Sequence, residues 1–161
     1  MNAIEMLKQE HRAVENLFDL FEAAESAEAR RDAFNQIADA LAMHATIEEK
    51  HFYPTVKQQE TEGILVESVE DHLIVKRSIA ELLQMDPADA GFGAKVKELR
   101  EDVDEHVAEE EGELFPRVER LFDDAALERL GAVMDDLQSQ LLRRGNARDE
   151  IPAETDAPAP L

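Results

Sequence analysis

At 161 residues, with 43% apolar and 34% charged side chains, the chain has the balance of one globular domain able to bury a core. A formal charge of −21 leaves no basic face for nucleic acid or an anionic membrane, and the lack of cysteine excludes disulfides, thiolate metal sites and cysteine nucleophiles. No apolar run reaches membrane-spanning length and the N-terminus lacks a charged-then-apolar leader, so a cytoplasmic setting is expected.

The pattern predicts an all-α protein. Residues 2–25 space Ile4, Leu7, His11, Val14, Phe18 and Phe21 by threes and fours, an amphipathic helix whose seam includes a histidine. Ser26 is placed to cap a second helix over about 28–58, with the seam Phe34, Ile37, Leu41, His44, Glu48, His51. A third, over about 62–85, reads Leu65, Ser68, His72, Val75, Ile79, Leu82. After the Pro- and Gly-bearing loop 85–93, a fourth over about 94–122 reads Val96, Leu99, Val103, His106, Glu110, Glu113. Asp123 or Asp124 can cap a fifth over about 125–143, striped by Leu127, Leu130, Met134, Leu137 and Leu141. That stripe is expected to dock on the bundle or on a partner, a second copy included. Residues 1–144 thus form the domain, and 145–161, with three prolines and few apolar side chains, are expected to be a disordered tail.

The chain repeats itself. Glu10-His11-Arg-Ala-Val14 matches Asp71-His72-Leu-Ile-Val75 at an offset of 61, and His44, Glu48 and Pro54 match His106, Glu110 and Pro116 at an offset of 62. Two helix pairs related in this way predict an antiparallel, up-down-up-down four-helix bundle with approximate two-fold symmetry, plus the extra C-terminal helix. With a rise of about 1.5 Å per residue, the four histidines lie within about one turn of a common level. Pro54 and Pro116 are expected to kink or end their helices just beyond this level.

Histidine and glutamate four residues apart lie on one helix face. A lone seam histidine reads most simply as a satisfied core residue, but two seam carboxylates beside four histidines would cost several kcal/mol each to bury without a strong partner. A metal pair supplies one. Imidazole and carboxylate without sulfur suit Fe, Mn or Zn. The candidate ligands are His11, His44, Glu48, His72, His106 and Glu110, with each glutamate able to bridge two metals and two histidines closing each. The zinc-protease pattern His-Glu-x-x-His is absent. A ferritin-like iron-handling site would use Glu48-x-x-His51, but its counterpart Glu110-x-x-Glu113 lacks the histidine.

The order His11, His44-x-x-x-Glu48, His72, His106-x-x-x-Glu110, with the Phe-Tyr-Pro54 and Leu-Phe-Pro116 endings, resembles the hemerythrin-like, HHE cation-binding domains over about residues 4–122. The resemblance implies two non-haem iron ions, Glu48 and Glu110 as bridging carboxylates, and a solvent-derived oxygen bridge (oxo, hydroxo or water). It also implies binding or sensing of O2, another small diatomic or peroxide, or of redox state. A di-iron enzyme acting on O2 or peroxide is the alternative. The oxygen-carrying members have a fifth histidine one turn from another on the third helix, where this chain has Ser68 and Lys76 about His72. Glu15, one turn after His11, is a candidate substitute.

Overall fold

The computed structural model describes residues 1–161. Helix α1 (Ala3–Ala23) starts at Asn2, whose side chain accepts from the Glu5 amide while Glu5 accepts from the Asn2 amide. Ser26 accepts from the Ala29 amide and starts α2 (Ala27–Ile47). Helices α4 (Glu62–Gln84) and α5 (Phe92–Glu109) complete a four-helix bundle. Cross-helix ion pairs fix the directions: Arg12 meets Glu111 while Arg100 meets Asp19 and Glu22, so α1 and α5 run antiparallel. Asp123 accepts from the Ala126 amide and begins α7 (Asp124–Arg144).

Neither proline ends its helix. Each is preceded by one wide π turn, Glu48–Phe52 and Glu110–Leu114, closed by Tyr53 N–H to the Glu48 carbonyl and Phe115 N–H to the Glu110 carbonyl. The helical path resumes as α3 (Tyr53–Val56) and α6 (Phe115–Leu121). The physical reason is local. A proline ring collides with the carbonyl four residues back and lacks an N–H to bond it, and inserting one residue into the turn relieves both. The repeat therefore extends to the backbone irregularity.

The core falls into two apolar clusters, with the histidine level between them. Ile4, Leu7, Ile47, Phe52, Leu65 and Phe115 belong to one cluster; Phe18, Phe34, Ile37, Ile79, Phe92 and Leu99 belong to the other. The α7 stripe is consumed within the chain: Leu127, Leu130, Met134 and Leu137 are buried against the first cluster, which accounts for the stripe without a partner. The approach is close enough that a Cβ at Gly131 would stand 2.5 Å from the Met1 carbonyl oxygen. No helix is long and apolar enough to cross a membrane.

Residues 145–161 depart from the expectation of a disordered tail. Gly145 (φ 71°) and Asn146 (φ 47°) turn the chain back through the left-handed region, which glycine and asparagine adopt most readily. Ala147–Glu154 then forms a 3-10 helix against α2 and α4. Its one buried apolar side chain, Ile151, enters the second cluster. Beyond it, Ala159 and Leu161 pack, partly buried, against the first cluster, and polar contacts hold the 3-10 segment itself. The Arg148 amide and guanidinium both donate to the Asp39 carboxylate, Lys76 pairs with Glu154, and Arg77 donates to the Thr155 and Asp156 carbonyls. Low apolar content misled because this segment is held mainly by charge.

Candidate metal centre

The seam positions of four helices deliver His11, His44, His72 and His106 to one level, and the first residues of the two π turns deliver Glu48 and Glu110. All six are buried, with both glutamates wholly inaccessible to solvent. Their donor atoms form two triads, His11/His44/Glu110 and His72/His106/Glu48, with the atoms of each within 4.8 Å of one another. The carboxylates cross between the histidine pairs. Glu48 Oε1 is 3.0 Å from His44 Nε2 and 3.2 Å from His72 Nε2; Glu110 Oε1 is 3.3 Å from His11 Nε2 and 3.5 Å from His106 Nε2. Each carboxylate thus faces one histidine of either pair, the placement a bridging ligand requires.

Apart from a 3.2 Å hydrogen bond between His72 Nε2 and His106 Nε2, these short separations are not a satisfied polar network. His11 Nε2, His44 Nε2, both oxygens of Glu48 and Glu110 Oε1 are buried without an aligned hydrogen bond. Atoms that approach within ion-pair distance yet do not bond are converging on a common point. Unpartnered buried polar groups cost about 1–3 kcal/mol each, more when charged, so the arrangement fits cations placed among them. The sulfur-free donor set is suited to Fe, Mn or Zn.

A ring of outer carboxylates orients the imidazoles. His11 Nδ1 is 2.7 Å from Glu111, His72 Nδ1 2.7 Å from Glu49, His106 Nδ1 3.2 Å from Asp71 and His44 Nδ1 3.6 Å from Glu10. Each support comes from another helical segment, and the repeat carries Glu10 onto Asp71 and Glu49 onto Glu111. At His11, His72 and His106, Nδ1 is turned outward to an acceptor and Nε2 is left facing the centre, whereas His44 Nδ1 reaches Glu10 only at ion-pair distance. Burial opposes charge on His44 and His72, but Glu48 and Glu10 push the first well above the usual imidazole range, and Glu48 and Glu49 raise the second to about 9. Burial likewise opposes charge on Glu48, yet the neighbouring His44 and His72 hold it well below its ordinary range.

The sequence pattern did not single out Tyr53. Its hydroxyl donates to Glu110 Oε2 at 2.6 Å and lies 3.2 Å from His72 Nε2, with its ring stacked 5.5 Å from that imidazole. In a regular α-helix a residue five after Glu48 points about 140° away from it. The π turn brings that residue onto the same face. The same turn leaves His51 half-buried and Glu113 exposed, with neither in a triad, so the seams drawn through them are corrected and the ferritin-like ligand set is not assembled. The repeat-related residue of Tyr53 is Phe115, stacked 6.0 Å from His11, so only the His72 side carries a hydroxyl. Glu15 is outside both triads and pairs with Arg12. Ser68 and Lys76 are buried beside His72; Lys76 bridges Glu49 and Glu154 at 2.9 Å each.

The hemerythrin HHE cation binding domain pattern matches residues 2–118. A crystal structure of a hemerythrin HHE cation binding domain-containing protein from Mycobacterium kansasii superposes with a TM-score of 0.81 at 24% identity, covering 96% of this chain and 94% of that one. At that identity the likeness speaks for the fold. A Nostoc sp. protein described as a DNA nickase is 28% identical over 118 residues, 73% of this chain but only 34% of that protein's length. With the matched family region enclosing both buried His/Glu triads, the chain belongs to the hemerythrin HHE cation-binding domain family.

Proposed function

We propose that the two triads hold a pair of iron ions, and that the protein uses them to bind or sense O2 or a related small oxygen species, or to respond to redox state. The observation that carries this reading is the crossing of the carboxylates: Glu48 and Glu110 each face a histidine of both pairs while their inward oxygens lack hydrogen bonds. His11 and His44 would end-cap one ion and His72 and His106 the other, with both glutamates shared. Bound there, iron would supply a redox couple able to react with O2 or peroxide.

The chain's own groups set the conditions. Glu111, Glu49 and Asp71 keep the Nε2 atoms of His11, His72 and His106 turned inward and, together with Glu10, add negative charge, which favours the more oxidised metal pair. Tyr53 holds Glu110 by its Oε2 and places one proton-bearing hydroxyl at the His72 side. A small pocket lined mainly by apolar side chains lies beside the histidines. The buried hydroxyl favours a second reading, an enzyme turning over peroxide, since it offers a proton donor on one side only. The nickase activity named for the Nostoc protein does not extend to this reading, because two thirds of that protein lies outside the match and this chain carries a charge of −21.

The test is to load the protein with iron, reduce it without oxygen, add O2 and then remove O2 under vacuum. The expected result is a lasting diferric spectrum. Recovery of the colourless reduced form identifies a reversible carrier, and repeated consumption of added peroxide without loss of iron identifies the enzyme.

A further inference from the structure

The cavity beside the histidines has a volume of about 40 Å3 and is otherwise lined by apolar side chains such as Val14, Leu41, Val75, Ile79 and Val103, with Lys76 at its edge. A single water needs about 10–15 Å3 measured in this way, so the space admits a diatomic molecule or peroxide and little more. A second, larger pocket of about 330 Å3 lies on the outer side, among α2, α4, the end of α7 and the 3-10 segment. The two spaces share three lining residues, Ala42, Lys76 and Ile151. These side chains form the wall that the two spaces share.

The three parts of this wall differ in how firmly they are held. Ala42 lies inside α2, more than a turn before its end, and cannot move without the helix. Lys76 is fixed by two carboxylates, Glu49 and Glu154. Ile151 is carried on a 3-10 segment that meets the bundle mainly through the Arg148–Asp39, Lys76–Glu154 and Arg77–Thr155 contacts, and it is the segment's only buried side chain. Segments with few apolar contacts and strained hydrogen-bond geometry open at lower free-energy cost than helices packed on two sides.

We infer that Ile151 is the gate between the outer pocket and the histidine cavity, and so determines the size of ligand that reaches the centre. This rests on the reading above that the centre serves a small oxygen species. Withdrawal of Ile151 widens the passage across the shared lining, and with Ile151 in place the space beside the histidines is matched to the smallest ligands.

The test uses the metal-free protein and diethyl pyrocarbonate, a histidine reagent larger than a diatomic molecule, with modification at each histidine followed by peptide mass spectrometry at one pH. His51, half-buried and outside the cavity, is the internal reference. In wild type the four cavity histidines are expected to react slowly relative to His51. Ile151→Ala should accelerate the cavity histidines at least tenfold while His51 is unchanged, and Ile151→Leu should stay near wild type. Equal rates in wild type and Ile151→Ala overturn the gate. So does a general acceleration that includes His51, because the segment then merely holds the bundle together. Since no metal is present, failure of iron loading would not alter this result, and failure of the gate would leave iron binding standing.

Discussion

Glu48→Gln keeps the shape of the side chain and removes the charge that is proposed to serve both ions. An ion that binds only the folded state stabilises it by RT ln(1 + [L]/Kd), about 4 kcal/mol at a thousand times Kd. Two triads therefore give about 8 kcal/mol between metal-free and metal-replete protein. In a domain of this size each kcal/mol moves Tm by about 2–4 °C, so the gap should be about 16–32 °C. Glu48 Oε1 lies within 3.2 Å of a histidine from each pair, so Glu48→Gln should abolish nearly the whole gap and reduce metal content towards zero. His11→Ala removes a residue from one triad only and should leave about half of each. Calorimetry of metal-free and metal-replete protein, paired with elemental analysis, reads both quantities. If Glu48→Gln costs one ion and half the gap, as His11→Ala does, the carboxylate serves a single ion and the bridging argument fails.

Tyr53→Phe removes the donor to the buried Glu110 Oε2 and should cost about 1–3 kcal/mol in metal-free denaturant unfolding, although the ring itself is accommodated, as Phe115 is at the related position; an unchanged midpoint contradicts this. The His72 imidazole, raised to about 9 by Glu48 and Glu49 against burial, stabilises the metal-free protein fully below its unfolded value near 6.5, and that contribution fades as pH rises through 9. Metal-free stability should thus fall by an amount of order 3 kcal/mol across this window, and metal loading at neutral pH should release protons; a flat profile refutes the assignment. Ending the chain at Arg144 empties the seat of Ile151 and should lower stability by about 2–5 kcal/mol, as deletion of a buried isoleucine does; an unchanged melting temperature would show that the segment packs on nothing.

The histidine level was legible because α1, α2, α4 and α5 are regular up to Glu48 and Glu110, so threefold and fourfold spacing maps faithfully onto one face. Legibility ended at the π turns. Beyond them Tyr53 replaced His51 as the inward residue, and no α-helical periodicity contains that shift, although Pro54 and Pro116 at equal offsets marked where regular geometry was under stress. The caps at Ser26 and Asp123 were also readable, because a hydroxyl or carboxylate before an amphipathic run bonds locally. The outer carboxylates were only half readable. Glu10 and Asp71 stand beside histidines in the repeat, yet each supports the histidine of another helix, a relation that exists only after packing. The 3-10 segment was not readable at all, since one isoleucine and three side chain-mediated anchors leave no periodic trace.

Two metal ions, both iron, are proposed to sit between the crossing carboxylates. Anomalous diffraction at the iron edge, on crystals of protein produced with iron available, tests this placement most directly. Two iron peaks per chain are expected, one beside the Nε2 atoms of His11 and His44 and the other beside those of His72 and His106, with Glu48 and Glu110 touching both. A single peak, a different metal, or no metal at the histidine level would contradict it.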